Sequence, residues 1–287
     1  MKAPCDEAVI RAGTAAAPCA TNAEPWILAV AILGSSMAFI DGTVVNVALP
    51  ALQKNLGGTV IDMQWVVEGY ALFLSALILV GGSMGDLFGR RRMFLSGVAL
   101  FAIASARCGL APNIHQLVIA RAVQGVGAAF LVPGSLSIIS ASFSEKERGR
   151  AIGTWSGFTA MTTALGPVLG GWLIEHASWR WAFFINLPMA AAVIVLALWR
   201  VPESKNPESK AVDWTGALIA TLGLAGLTYG FIESSNFGWS NPFVWGTLVV
   251  GCVFLAAFLY VESRVESPIV PLKLFRSRNF SGANLLT

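Results

Sequence analysis

The feature that most constrains this chain is a series of eight apolar segments, each about as long as a membrane-spanning helix. The hydrocarbon core of a bilayer is about 30 Å thick, and a helix needs about 20 residues to cross it. The segments cover residues 26–48, 64–85, 92–111, 114–142, 150–174, 180–199, 214–233 and 242–262. Since 55% of the 287 residues are hydrophobic and only 12% are charged, we predict an all-α membrane protein.

The basic residues predict how these segments are oriented. Of the 19 lysines and arginines, only Lys54 and Arg180 fall in loops on the side opposite to the N-terminus, and only Arg107 and Arg121 fall within spans. Loops that are rich in lysine and arginine stay in the cytoplasm. We therefore expect a multi-pass protein of the cell membrane with a cytoplasmic N-terminus. The small net charge of +3 gives no indication of nucleic-acid binding.

Polar stretches divide the chain into five parts. Residues 1–24 lack the basic start and apolar centre of a signal peptide, which indicates a disordered cytoplasmic tail. Residues 25–200 predict a six-helix bundle, 201–213 a cytoplasmic linker, and 214–262 two additional transmembrane helices. Residues 263–287 have the pattern of a cytoplasmic loop and the start of a truncated ninth helix. This ending leads us to expect a fragment or a truncated reading frame.

Three ionisable residues lie at similar depth inside the spans. At 1.5 Å per helical residue, Asp41, Glu68 and Arg121 all fall in the outer half of the bilayer. Opposite charges at one depth can pair, which reduces the cost of burial, so we expect Arg121 to contact Asp41, Glu68, or each in turn. Gln124 lies on the same helix face as Arg121 and can join them. The cluster is either a static ion pair that fixes helix packing or a site where a carboxylate exchanges a proton.

The fifth span contains a signal for bending. Gly166-Pro167 is followed by Gly170-Gly171. Proline removes a backbone donor, and glycine lowers the cost of bending a helix. We therefore expect a kinked or bendable helix, which fits a transporter that alternates between two states better than a static scaffold.

The loop after the second span combines a carboxylate with several arginines. It has the sequence GGSMGDLFGRRRMF over residues 81–94. Asp86 ends the span, Gly89 turns the chain, and Arg90, Arg91 and Arg92 follow. The arginines alone would be a positive-inside signal, whereas a carboxylate beside them can form a charge network that reforms when helices move.

Two of these stretches resemble motifs of one transporter family. The pattern Gly82-x-x-x-Asp86-x-x-Gly89-Arg90-Arg91 is similar to the loop motif between the second and third helices of the major facilitator superfamily. The fourth span, RAVQGVGAA at 121–129, is similar to the proton-linked arginine motif of that superfamily.

Further motifs resemble one group within the superfamily, the fourteen-helix drug:proton antiporters. GPVLGG at 166–171 is similar to their antiporter motif, although Thr162 stands where that motif usually has glycine. DGTVVNVALP at 41–50 resembles their first-helix motif, and WRWAFFINLP at 179–188 and the entry to the seventh span at 213–216 are also similar to that group.

The resemblance implies proton-coupled export of amphipathic small molecules or drugs, with the proton gradient as the energy source and no cofactor. It implies that Asp41, Glu68 and Arg121 take part in proton coupling, and that the loop motif and the 166–171 glycines take part in gating. Members of the family have a second six-helix bundle, with the substrate site between the two bundles. We expect that bundle to be missing from this chain, and its helices to complete the transport path.

The sequence favours a transport function over enzymatic catalysis. The polar and aromatic residues proposed to line the substrate cavity are Gln124, Trp65, Tyr70, Phe130, Trp155 and Phe158. The chain has no G-x-x-x-x-G-K-[ST], H-E-x-x-H or G-x-S-x-G sequence, and its four cysteines form no C-x-x-C pair. We therefore expect no enzyme and no metal site. A truncated, non-transporting membrane protein and an exporter of one endogenous metabolite are the alternatives.

Overall fold

The structure is a computed structural model, and it describes residues 23–206 and 213–265. These residues form helices and no strand, and eight of the helices are long and apolar enough to cross a membrane. They are α1 (Glu24–Leu56), α2 (Val60–Phe88), α3 (Arg90–Gly109), α4 (Ile114–Ser142), α5 (Glu145–His176), α6 (Trp181–Arg200), α7 (Trp214–Phe237) and α8 (Pro242–Glu262). The predicted all-α membrane fold is confirmed.

The chain divides into two compact units, Met1–Ser209 and Lys210–Thr287. Helices α1–α6 belong to the first unit, and α7 and α8 pack against each other in the second. The division falls within the stretch 201–213 that the sequence predicts as a linker. Most of the predicted tail at 1–24 and most of the predicted loop at 263–287 lie outside the described residues.

Polar residues at the helix starts explain where the chain enters each span. Thr59 and Asp62 form a reciprocal capping box at the start of α2, in which each side chain accepts a hydrogen bond from the other residue's backbone N–H. Asn113 caps α4 by accepting a hydrogen bond from the backbone N–H of Gln116. Such caps satisfy N–H groups that have no partner within the helix.

Helix α4 lies at the centre of the first unit, where it packs against α1, α2 and α3. Glycine permits the close approach on two of these sides. A Cβ atom at Gly125 would collide with the backbone oxygen of Tyr70 on α2, and one at Gly127 would lie 2.6 Å from the backbone nitrogen of Phe101 on α3. In lipid, helices associate through such close packing of small residues.

Substituting Gly127 with alanine tests whether the close approach of α3 and α4 stabilises the bundle. Overpacking of a well-packed core costs about 1–3 kcal/mol, so we expect G127A to lower the midpoint of thermal unfolding in detergent. Gly153→Ala on α5 is the matched control, because a Cβ there meets nothing within 4 Å. Equal unfolding temperatures for the two variants would contradict the packing argument.

Candidate functional site

A buried ion pair joins α4 to α1. Arg121 is 1% exposed and Asp41 is 0% exposed. Nη1 of Arg121 donates to Oδ2 of Asp41 at 2.5 Å, and its Nε donates to the backbone oxygen of Val66 on α2 at 3.0 Å. The guanidinium also lies over the ring of Tyr70, 4.2 Å from the ring centre. One arginine therefore holds three helices together.

The second oxygen of Asp41 accepts hydrogen bonds from two amides. Nε2 of Gln124 donates to Oδ1 of Asp41 at 2.7 Å, and Nδ2 of Asn186 donates to the same atom at 3.0 Å. The hydroxyl of Ser105 lies within hydrogen-bond distance of both amides and donates to the backbone oxygen of Phe183. We refer to Asp41, Ser105, Arg121, Gln124 and Asn186 as the Asp41 cluster.

The hydrogen-bond pattern of the Asp41 cluster is that of an ionised carboxylate. Each group in contact with the two carboxylate oxygens is a donor, and one of these donors carries a positive charge. The charge is completely removed from solvent, since all five members of the cluster are 0–1% exposed. One polar atom, Oδ1 of Asn186, is buried and has no hydrogen-bond partner among the described residues.

A second polar network lies at the other end of α3. Nε of Arg90 donates to Oδ1 of Asp86 at 2.9 Å across the junction between α2 and α3. Gly89 makes this junction with a φ of 117°, a conformation that favours glycine. A Cβ at Gly89 would also lie 2.6 Å from Oε1 of Glu203.

Glu203, three residues beyond the end of α6, caps the start of α3. Its carboxylate accepts hydrogen bonds from the backbone N–H groups of Arg91 and Arg92 at 3.1 and 3.2 Å. It also lies 3.5 Å from Nε of Arg92 and 3.9 Å from Nε of Arg91. A carboxylate is favourable at a helix N-terminus because unpaired N–H groups and the helix dipole both attract it.

Hydrogen bonds to backbone atoms also join residues 201–206 to the junction between α2 and α3. The backbone N–H of Arg90 donates to the oxygen of Ser204 at 2.8 Å, and that of Asn206 donates to the oxygen of Asp86 at 2.9 Å. Nη1 of Arg91 donates to the oxygen of Val201 at 2.8 Å. The start of the predicted linker is thus an ordered part of the loop network.

Comparison with known proteins identifies the family. Residues 31–279 match the family model described as Major Facilitator Superfamily. The chain belongs to the major facilitator superfamily. Its members are transporters and not, in general, enzymes.

Several curated relatives within the superfamily are resistance proteins. The chain is 41% identical over 254 residues to the multidrug resistance protein Stp of Mycobacterium tuberculosis, which covers 87% of this chain and 47% of that protein. It is 36% identical to the tetracenomycin C resistance and export protein of Streptomyces glaucescens, with 91% and 49% covered. It is 37% identical to the puromycin resistance protein pur8 of Streptomyces alboniger, with 91% and 52% covered. The chain therefore spans about half the length of these relatives.

Comparison with solved structures supports the fold of this chain and nothing further. A peptide transporter POT in complex with sulfate has a TM-score of 0.61 at 15% identity, covering 91% of this chain and 56% of that one. The POT family transporter PepTSo has a TM-score of 0.58 at 14% identity, covering 83% and 52%. At these identities the likeness supports the superfamily fold and nothing about substrate.

The predicted charge pairing involves only Asp41 in this structure. Glu68 is half-buried on α2 and makes no ion pair within the described part of the chain. Val66, two residues before Glu68, supplies the backbone oxygen that accepts a hydrogen bond from Arg121.

The six residues proposed to line the substrate cavity differ in how deeply they are buried. Gln124 is fully buried in the Asp41 cluster, and Tyr70 is buried beneath Arg121 with its hydroxyl donating to the backbone oxygen of Ala38. Trp65 and Phe130 are half-buried.

The two α5 aromatics differ in their contacts. Nε1 of Trp155 donates to the hydroxyl of Ser35 on α1 at 3.1 Å. Phe158, one turn further along, is 49% exposed. Of the six proposed lining residues, Phe158 is therefore the most open to a ligand, while Gln124 and Tyr70 are inaccessible in this conformation.

Two glycines of the 166–171 motif lie where α5 contacts α1. A Cβ at Gly166 would collide with the hydroxyl of Thr43 on α1, and one at Gly170 would lie 3.3 Å from the Cα of Val44. Gly171 faces open space, Pro167 is exposed, and α5 runs through both residues as one helix from Glu145 to His176. Gly82 on α2 similarly faces Pro133 of α4, at an ordinary contact distance of 3.5 Å.

Sequence reasoning missed three residues of these networks. Asn186 is an amide within an apolar span, and that contrast was a signal that could have identified it. Glu203 lies in a stretch of polar residues that looks like a linker, so nothing in its composition distinguishes it. Ser105 is one of many serines in the spans, and only the fold reveals its partners.

Replacing Arg121 with alanine leaves the Asp41 carboxylate buried without its cation. Breaking a buried pair in this way costs about 3–5 kcal/mol, so we expect a large decrease in the free energy of unfolding measured with denaturant. Adding Asp41→Asn should recover part of the loss, because the amide carries no charge. The double variant could instead lose the sum of the free energies of unfolding that R121A and D41N lose separately. In that case Asp41 does not carry an uncompensated charge in R121A.

Replacing Glu203 with alanine removes the acceptor for two backbone N–H groups of α3. We expect hydrogen exchange at the amides of Arg91 and Arg92 to accelerate by roughly tenfold or more, since a charge-assisted hydrogen bond contributes about 1.5–3 kcal/mol. Glu145→Ala, at the exposed start of α5, is the control and should leave these amides unchanged. Unchanged exchange in E203A would show that the cap does not protect α3.

Proposed function

We propose that this chain takes part in proton-coupled export of amphipathic small molecules or drugs across the cell membrane, with its N-terminus in the cytoplasm. The observation that carries the proposal is the Asp41 carboxylate, which is fully buried and neutralised by Arg121. The names of the relatives support drugs as substrates, since they refer to multidrug resistance, tetracenomycin C export and puromycin resistance. Most lysines and arginines lie on the N-terminal side of the membrane, which supports the orientation.

In this proposal, Asp41 is the proton-binding group. Proton transfer to Oδ1, the oxygen that faces Asn186, would convert the carboxylate to a neutral acid and remove the negative charge that Nη1 of Arg121 pairs with. The arginine would keep its hydrogen bonds to Val66 and Gln124 but lose its counter-ion. A buried charge without a counter-ion is unfavourable, so protonation drives Arg121 to a new partner or separates α1 from α4.

Glu68 is the proposed second partner of Arg121. It lies two residues beyond Val66, on the helix that already accepts a hydrogen bond from Arg121. A change of partner from Asp41 to Glu68 would move the positive charge from α1 toward α2. Proton binding would thereby alter the packing of helices without leaving the arginine unpaired.

Asn186 can serve both protonation states of Asp41. In the ionised state Nδ2 of Asn186 donates to Asp41 while Oδ1 has no partner among the described residues. A half-turn of the amide would place the oxygen where the nitrogen now lies, which gives a protonated Asp41 an acceptor. The unpaired oxygen thus has a role in the proposed cycle.

The loop network is the proposed gating element at the cytoplasmic end. Asp86, Arg90 and Arg91, together with Gly82 and Gly89, would contact helices of a second six-helix bundle, which members of the superfamily use to complete the path. The proposed energy source is the proton gradient, and the other partners are the substrate and the lipid bilayer. Among the six proposed lining residues, Phe158 is the most open to a substrate.

A transport experiment with Asp41→Asn tests the coupling. The wild-type chain, reconstituted in proteoliposomes together with the second six-helix bundle that the proposal requires, should accumulate a fluorescent cation such as ethidium under an imposed pH gradient, whereas D41N should lose the dependence on the gradient. Because asparagine has nearly the same shape and no titratable group, D41N should still exchange labelled for unlabelled ethidium without a gradient. Gradient-driven uptake by D41N at the wild-type rate would rule out Asp41 as the proton carrier.

Glu145→Gln is the matched control for this experiment. Glu145 is an exposed acid at the start of α5 and has no contact with the Asp41 cluster. E145Q should behave as wild type in both assays. Absence of both uptake and exchange in the wild-type protein, with the second bundle present, would contradict the transport proposal independently of proton coupling.

A further inference from the structure

A groove lies between α3 and α4, on a part of the molecule that neither polar network uses. It has a volume of about 200 Å³. Ile103 and Arg107 line it from α3, and Gln116, Ile119 and Val123 line it from α4. We propose that this groove binds one phospholipid with an anionic headgroup, such as phosphatidylglycerol.

The inner part of the groove suits an acyl chain. Ile103 and Ile119 are 65% and 64% exposed, and Val123 is 40% exposed. Their positions on two adjacent helices produce a continuous apolar strip that follows the helix direction. A strip of this kind in a bilayer is in contact with lipid tails, and the groove holds one tail in a fixed position.

The outer part of the groove suits a phosphate. Arg107 lies two residues before the end of α3, and Gln116 lies in the first turn of α4, so both are at the same end of the bundle. Arg107 is exposed and makes no hydrogen bond or ion pair with any residue that the structure describes. A guanidinium near the interface extends toward the headgroups, where its fork of N–H donors matches phosphate oxygens. The Gln116 amide supplies a further donor.

The charges at the groove favour an anionic over a zwitterionic lipid. Arg107 is the basic residue among the described lining residues, and none of those residues is acidic. The ammonium of phosphatidylethanolamine would therefore find no counter-charge and would face the arginine. The inference concerns a lipid, and it does not depend on transport.

Native mass spectrometry of the full chain in detergent tests the site, with phosphatidylglycerol and phosphatidylethanolamine added in turn. We expect the wild type to retain one phosphatidylglycerol in preference to phosphatidylethanolamine. Arg107→Gln should weaken phosphatidylglycerol binding by roughly tenfold, because it removes a charge-assisted contact. Ile119→Trp should reduce binding with the arginine intact, because the indole fills the groove.

Lys54→Gln is the matched control. Lys54 is an exposed lysine in the last turn of α1, at the same end of the bundle as Arg107 and outside the groove. K54Q should bind phosphatidylglycerol as the wild type does. The proposal is overturned if R107Q retains wild-type affinity, if K54Q loses as much as R107Q, or if I119W binds normally. It is also overturned if the wild type retains no lipid, as when another helix covers the groove.

Discussion

The structure of the first unit depends on the burial of one negative charge. Asp41 is fully removed from solvent, and such a charge is tolerated only when it is paired and hydrogen-bonded. The groups that meet this requirement come from Val66 on α2, Ser105 on α3, Arg121 and Gln124 on α4, and Asn186 on α6, either directly or through one intervening side chain. A single carboxylate thus fixes the positions of five helices, and glycines on α4 let those helices approach closely enough.

The two polar networks share the same helices. Helix α3 carries Ser105 near one end and Arg91 at the other, and α6 carries Asn186 near its start and leads to Glu203 beyond its end. The chain therefore connects Asp41 to the loop along two antiparallel helices, which contact each other at both ends. A displacement of Asn186 or Ser105 on protonation of Asp41 would be transmitted along α3 and α6 as rigid elements, which is the connection that proton-driven gating requires.

The sequence predicted the parts of this arrangement that follow from local composition. Apolar length defined the eight spans, and matched depth paired Arg121 with Asp41 because a charge in lipid needs a partner. Depth alone could not decide whether Asp41 or Glu68 pairs with Arg121, because it does not specify which face of a helix packs against α4. Gln124 and Tyr70 were chosen as cavity residues by their type, whereas the fold places them inside the bundle. Glu203 could not be predicted, because it caps a helix that lies far from it in the sequence and such a contact leaves no local pattern.

The same geometry explains why α5 carries glycines opposite Asp41. Gly166 contacts α1 at Thr43, two residues beyond Asp41, and Gly170 contacts it at Val44. Thr162, at the position where related motifs have glycine, places its hydroxyl 3.0 Å from that of Ser36 on α1. The contact between α1 and α5 is therefore formed by glycines near Asp41 and by a hydrogen bond about one turn away. If protonation releases Asp41 from Arg121, α1 can pivot about the hydroxyl contact, with Thr43 and Val44 moving over the two glycines of α5.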